Sequence, residues 1–308
     1  MRIAILGSGG VGGYFGGRLA AAGDPDVDVT FIARGAHLAA MRARGLRILS
    51  PLGDIDLPRV QVTDDTTSVG PVDVVFFTVK LYDAASALAQ LPPLIGPNTL
   101  VVPFQNGVDS VGLLTGAVGR AHVAGGTTYV SAVVAEPGVI RHHAMNRLVF
   151  GPLNGPSPLL GALRDAGTRA GFDAVLSDHI AVDIWAKFAR LTVFSGMTTV
   201  ARVPVGVVVS DPDLLAMAEA ALHESIAVAR GRQIPLPAKL FDEILAAHRA
   251  LPPNVKSSML EDLERGKPLE LPWLSGAVVR IGDEVGVPTP THRLIVTLLR
   301  PHVNGRTA

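Results

Sequence analysis

Cysteine is absent from this 308-residue chain, and that one absence removes disulfides, thiolate nucleophiles, iron–sulfur clusters and cysteine-based zinc sites together. An excess of either charge is missing too. The 27 Lys plus Arg balance 27 Asp plus Glu, so no basic field draws nucleic acid or an anionic membrane surface. Hydrophobic residues make up 48% of the chain, yet no apolar run approaches the roughly 18 residues that a membrane span needs. A strand-like run begins directly after Met1-Arg2, without the charged and apolar regions of a secretory signal, and the expectation is a cytoplasmic protein. What remains is a small-molecule partner. The length suits two domains at about 100–200 residues each.

The apolar run Ile3-Ala4-Ile5-Leu6 meets Gly7-Ser8-Gly9-Gly10-Val11-Gly12, which reads as a strand, a tight turn and a helix. Gly7, Gly9 and Gly12 fit G-x-G-x-x-G, in which the first glycine makes the turn, the second admits a pyrophosphate and the third lets helix pack on strand. Gly7, Ser8, Gly9, Gly10, Val11 and Gly12 are therefore the candidate cofactor cradle. Unpaired N–H groups and the positive end of the helix dipole would hold a phosphate there. Val27 to Ala33 reads as the second strand. The residue after it normally faces the adenosine ribose, where an acid favours NAD. Here it is Arg34, whose permanently charged fork suits a phosphate, so the expected cofactor is NADP(H).

Further apolar runs alternate with helical or turn segments, which argues a parallel doubly wound sheet. Ile55 to Val62 reads as extended, with Pro58 inside it. Val72 to Val79 reads as a central strand ending at Lys80, and Leu100 to Pro103 as another, followed by Gln105-Asn106-Gly107. Strand carboxyl ends line the ligand crevice of such sheets, which makes Lys80, Gln105 and Asn106 candidates for the cofactor and substrate mouth. Tyr129 to Ala135, Val139 to His142 and Arg147 to Phe150 look antiparallel, with Glu136-Pro137-Gly138 as a hairpin turn. The adjacent pair His142-His143 lacks metal-ligand spacing and reads as hairpin surface; no metal is expected.

After Ser177-Asp178 the pattern changes to long helical periods punctuated by Pro and Gly, with strand character only at Val205 to Val209. This predicts an α/β chain: a Rossmann-type doubly wound domain over residues 1–178, then an all-α domain over 179–308. Lys187 lies on the edge of the apolar stripe Ile184-Phe188-Leu191 of one helix. There it either packs its stem and reaches water or, desolvated, has its pKa lowered toward the range of a general acid. Glu270 precedes a helix expected from Pro272 to Val285, where a carboxylate favours the helix N-terminus. Ser258 to Glu261 has capping-box form, so Ser258 is read as a cap of its own helix.

Taken in order, the glycine motif, Thr78-Val79-Lys80, Gln105-Asn106-Gly107, Ile184-Trp185-Ala186-Lys187-Phe188, Ser257-Ser258-Met259-Leu260-Glu261-Asp262 and Glu270 resemble the ketopantoate reductase (2-dehydropantoate 2-reductase) family over essentially the whole chain. The resemblance implies NADPH-dependent reduction of a 2-keto acid, 2-dehydropantoate to (R)-pantoate, on the route to pantothenate and coenzyme A. It makes Lys187 the catalytic lysine, Glu270 the glutamate beside the substrate, Asn106 and Ser258 substrate contacts, and Lys80 a lysine at the cofactor mouth. The chain departs from the family where better-known members carry two asparagines one and two helical turns after the lysine. Leu191 and Ser195 stand there. Ser195 is kept as a substrate contact, and Leu271-Pro272 replaces the usual Ile-Asp. A different 2-keto acid reduced by the same Lys and Glu chemistry, or a non-catalytic NADP(H)-binding regulator, are the competing readings. A homodimer is left open.

Overall fold

A computed structural model of the chain describes residues 1–306, which form two compact units. Residues 1–105 and 109–180 make the first, while Asn106–Val108 belong with residues from Ala181 onward.

The first unit carries ten strands: β1 (Arg2–Leu6), β2 (Asp28–Ile32), β3 (Leu46–Leu49), β4 (Ile55–Leu57), β5 (Gln61–Thr63), β6 (Val72–Phe77), β7 (Ile95–Pro103), β8 (Ala124–Glu136), β9 (Val139–Pro152) and β10 (Asp173–Leu176). Its helices are α1 (Gly10–Ala21), α2 (Gly35–Arg44), α3 (Ala84–Leu88), α4 (Ser110–Val118) and α5 (Pro158–Arg169). One sheet is parallel throughout, in the order β5-β2-β1-β6-β7. Its near-continuous apolar strands suit burial on both faces, and Ile3, Ile5, Phe31, Val74 and Phe76 are buried in one core. A second sheet, β10-β9-β3-β4, is mixed, and β8 pairs antiparallel with β9 from Ala124↔Pro152 to Glu136↔Val139.

Helix α1 packs against both sheets, and its glycines explain how. A Cβ on Gly16 would lie 2.8 Å from Ile5 and Phe31 of the parallel sheet, whereas one on Gly13 or Gly17 would meet Ile140 at 2.8 Å or Ile48 at 2.6 Å in the mixed sheet. Side chains there would force the layers apart. The expected extended stretch Ile55 to Val62 divides between the two sheets: β4 pairs antiparallel with β3, and β5 pairs parallel with β2. Pro58 falls in the break, where no ladder N–H is required.

His142 departs from the hairpin-surface reading, although His143 is exposed. Only 3% of His142 is exposed; its ring stacks on Tyr14 at 4.2 Å, and its two nitrogens face Ser50 Oγ at 2.8 Å and the Met145 carbonyl at 2.6 Å. Alternation along β9 places His142 on the same inward face as buried Ile140, with Arg141 and His143 turned outward. Among the described residues no group of His, Asp and Glu is arranged to hold a metal.

The second unit is helical: α6 (Ile180–Ala201), which begins at the last residue of the first unit, then α7 (Val205–Ser210), α8 (Pro212–Gly231), α9 (Leu240–Arg249), α10 (Ser258–Glu264), α11 (Ser275–Val285) and α12 (Pro290–Leu299). Val193, Met197, Leu222, Ile226, Leu245 and Ile295 are among its buried core. The β-branched run at Val205 is helix, not strand. Pro204 is its N-cap, and the Val205 and Gly206 N–H groups donate to the Val255 and Pro253 carbonyls at 2.9 Å, so the helix start is satisfied from outside. Buried Glu224 of α8 does the same for α12, accepting from the Thr291 and His292 N–H groups at 2.7 and 2.9 Å. No described helix is long and apolar enough to cross a membrane.

Candidate active site

The glycine turn has three different steric situations at its three glycines. Gly7 has φ +106°, and a Cβ on it would sit 2.7 Å from the Val79 nitrogen; one on Gly12 would sit 2.3 Å from the Gly7 oxygen and 2.5 Å from Thr78 Oγ1. A Cβ on Gly9 would meet nothing within 4 Å. The first glycine thus makes the turn, the third closes helix on strand, and the second leaves backbone open to an approaching group. Gly9 is also the N-cap of α1, with no side-chain cap and no acid in the first turn, so the N–H groups there are offered to an anion. Gly10 serves packing instead, because its Cβ would lie 2.1 Å from the Ala132 oxygen of β8. Ser8 is buried and donates through Oγ to the Ile32 carbonyl at 3.0 Å, holding the turn to β2. The cradle fits a dinucleotide pyrophosphate by these criteria.

Beyond the end of β2, Arg34 is the N-cap residue of α2, and its guanidinium lies 3.7 Å from the Asp83 carboxylate. Lys80 is exposed where β6 gives way to a 3-10 turn, Leu81–Asp83. Gln105 donates to the Val79 carbonyl at 2.6 Å and accepts from Ser110 Oγ at 2.6 Å. Both ends of its amide brace the loops after β6 and β7, so it positions backbone and is not a free contact.

In the helical unit, three residues distant in sequence meet. Lys187 Nζ on α6 donates to Asn106 Oδ1 at 3.1 Å, and Asn106 Nδ2 donates to Glu270 Oε2 at 3.1 Å. A neutral amide can accept from an ammonium through its oxygen and donate to a carboxylate through its nitrogen at once. Glu270 is 5% exposed and stands immediately before a 3-10 turn, Leu271–Trp273, that leads into α11; the expected continuous helix from Pro272 is broken there. Phe188, next to Lys187 in sequence, and Val108, two residues after Asn106, pack in one apolar cluster with Ala277 and Val278. Burial pushes the Lys187 ammonium down from its usual 10.5 to about 8; Glu270 opposes this by favouring the charge, and Arg190 adds to it by repulsion. Arg190, one turn after Lys187, carries no sequence motif, and only its charge so near the lysine marks it.

The remaining candidates take no part in the Lys187–Asn106 and Asn106–Glu270 hydrogen bonds. Ser195, two turns along α6 from Lys187, is fully buried, and its hydroxyl has no partner among the described residues. Leu191 is partly buried between them. Ser258 is exposed at the first position of α10, and the cap is Ser257, whose hydroxyl accepts from the Leu260 N–H at 3.1 Å. The cap is therefore Ser257 and not Ser258, and with Leu260 three residues after it Glu261 closes no capping box; Ser257 is also held by Thr198 Oγ1 at 2.8 Å.

Family models for "Ketopantoate reductase PanE/ApbA" and its C-terminal counterpart match residues 3–155 and 179–303. The chain belongs to the ketopantoate reductase family. It is 31% identical to a 2-dehydropantoate 2-reductase of Mesorhizobium japonicum, over 97% of each chain. A PanE/ApbA family ketopantoate reductase from Ralstonia eutropha superposes with a TM-score of 0.89 at 32% identity, over 98% of each chain. A D-mandelate dehydrogenase, solved with NADH and anilino(oxo)acetate, shares the fold at a TM-score of 0.87 and 22% identity, over 98% of each chain. As a ketopantoate reductase family member, the chain is a nicotinamide-dependent oxidoreductase acting on CH–OH groups, and a 2-keto acid is its class of substrate.

Proposed function

We propose that this protein reduces 2-dehydropantoate to (R)-pantoate with NADPH, in the supply of pantothenate, and that Lys187 is the proton donor. The observation that carries this reading is the Lys187–Asn106–Glu270 bridge, with its lysine held near pH 8. NADPH, when bound, supplies the hydride; the chain supplies placement and charge. The α1 N-terminus and Gly9 would hold the pyrophosphate, and Arg34 with Lys80 the 2′-phosphate. Lys187, as its ammonium, donates a hydrogen bond to the ketone oxygen and releases a proton to it as negative charge develops on that oxygen. A donor lowered to about 8 is still charged at neutral pH, yet gives up its proton more readily than an ordinary lysine. Asn106 fixes the direction of Nζ, and Glu270 fixes Asn106.

Leu191 and the unpartnered Ser195 hydroxyl favour a second reading, a 2-keto acid with a larger apolar substituent. A missing amide donor changes such preferences by about 1–3 kcal/mol. Initial rates on a panel of straight, branched and aromatic 2-keto acids, with NADPH and NADH in parallel, test both. The highest kcat/KM on 2-dehydropantoate supports the first; a larger acid at the top replaces it. Sedimentation of the purified protein reads whether it assembles as a homodimer.

A further inference from the structure

We infer that Asp83 is a cofactor-selectivity residue that works against the 2′-phosphate and for the 2′-hydroxyl. The inference rests on the NADP(H) reading of Arg34. In the parallel sheet, β2 and β6 flank β1 on either side. The Arg34 turn follows β2 and the Lys80–Asp83 turn follows β6, so the two turns stand on opposite sides of the glycine turn that follows β1. At about 4.8 Å between neighbouring strands, the strand ends feeding them are roughly 10 Å apart. The ion pair Arg34 Nη2–Asp83 Oδ2, at 3.7 Å, spans that gap. It therefore crosses the carboxyl end of β1, the side on which a dinucleotide binds in such sheets.

The backbone holds Asp83 in this position, since its N–H donates to the Lys80 carbonyl at 2.9 Å. The side chains of Arg34 and Asp83 remain 57% and 45% exposed, so both charged groups stay accessible to a ligand. A carboxylate near the adenosine ribose is the group that selects NAD in this architecture, by accepting from the 2′-hydroxyl. Here the end of β2 carries Arg34 in its place, and the carboxylate comes instead from the turn after β6. The chain thus presents both recognition groups side by side. A 2′-phosphate gains Arg34 and is repelled by Asp83, whereas a 2′-hydroxyl gains an acceptor in Asp83. Asp83 also occupies the guanidinium that the phosphate requires.

The effect is set by exposed charges, which interact weakly and are screened by salt. A phosphate dianion doubles the repulsion, and the expected change is about three- to tenfold in affinity at low ionic strength. Calorimetric titration of the full-length chain with NADPH and with NADH, for the parent, Asp83→Asn and Arg34→Ala, reads it without turnover. Asp83→Asn should bind NADPH about three- to tenfold more tightly and NADH more weakly, with the NADPH gain shrinking in high salt. Unchanged or equally shifted affinities for both cofactors in Asp83→Asn, alongside weakened NADPH binding in Arg34→Ala, would overturn the role of Asp83 and leave the NADP(H) reading intact. NADPH binding that is indifferent to Arg34→Ala would remove that reading, and the role of Asp83 with it.

Discussion

Replacing Glu270 by Gln removes a charge while keeping the shape of the side chain, and it should move the pH at which the protein stops working. Asn106 bridges Glu270 and Lys187 by two hydrogen bonds of 3.1 Å, and the Glu270 charge partly offsets the burial that leaves the lysine pKa at about 8. Opposite charges about 4–8 Å apart, at an effective dielectric of about 20, interact by roughly 2–4 kcal/mol. That corresponds to about 1.5–3 pH units, and water reaching the variant site would bring it toward the lower end. Because the ammonium is the active form for ketone reduction, kcat should be level below pH 8 in the parent and fall about tenfold per unit above it. In Glu270→Gln the same limb should begin at least about one unit lower. Arg190→Gln is the opposite control, since Arg190 lowers the same pKa; its limb should move to higher pH. Steady-state and single-turnover kcat from pH 5 to 10 would read all three. A limb that stays in place in both variants, with turnover otherwise intact, would refute Lys187 as the titrating donor.

Lys187→Ala should lower kcat by about 10²–10⁴ while changing the NADPH dissociation constant less than threefold; a kcat within about threefold of the parent, ~0.65 kcal/mol in barrier, would assign the lysine a packing role. The parent should prefer NADPH over NADH by at least about tenfold in kcat/KM, roughly 1.4 kcal/mol, and Arg34→Ala should erode that gap mainly through KM; equal efficiency in the parent would sink the assignment. Gly12→Ala places a Cβ 2.3 Å from the Gly7 oxygen and should destabilise the fold by about 1–3 kcal/mol in denaturant melts, weakening NADH and NADPH alike; a parent-like melt would contradict the close approach. Burial, with Arg190 adding repulsion, lowers His248 from 6.5 to about 4. The unfolded chain therefore binds more protons between these values. The stability His248 confers is complete above pH 6.5 and is lost as pH falls toward 4, by about 3 kcal/mol; His248→Gln should flatten that acid limb, and an unchanged slope would count against a buried neutral imidazole.

By itself the sequence determined whatever depends on near neighbours along the chain. Ile3 to Gly12 spells strand, turn and helix because φ at Gly7 and the approach at Gly12 are set within a few residues, and Asp211 before Pro212 starts α8 by accepting from the Asp213 and Leu214 N–H groups. The order of the motifs along the chain also made the family legible. Only the tertiary structure decided what depends on distant partners. Val205 to Ser210 has the β-branched composition of a strand but becomes helix because carbonyls at Pro253 and Val255 satisfy its first N–H groups. His142 looks like hairpin surface until Tyr14 and Ser50 close on it. The spare glycines Gly13 and Gly17 have meaning only once β9 and β3 supply Ile140 and Ile48; their spacing of four, repeated at Gly12 and Gly16, was the one local sign of a helix held between two sheets. Asn106 stands 81 residues from Lys187 and 164 from Glu270, and no pattern along the chain says that one amide will serve both. Hydrogen bonds and desolvation act at a few ångströms in space, so the residue types were readable from the sequence, and the shifted lysine came only with the packing around it.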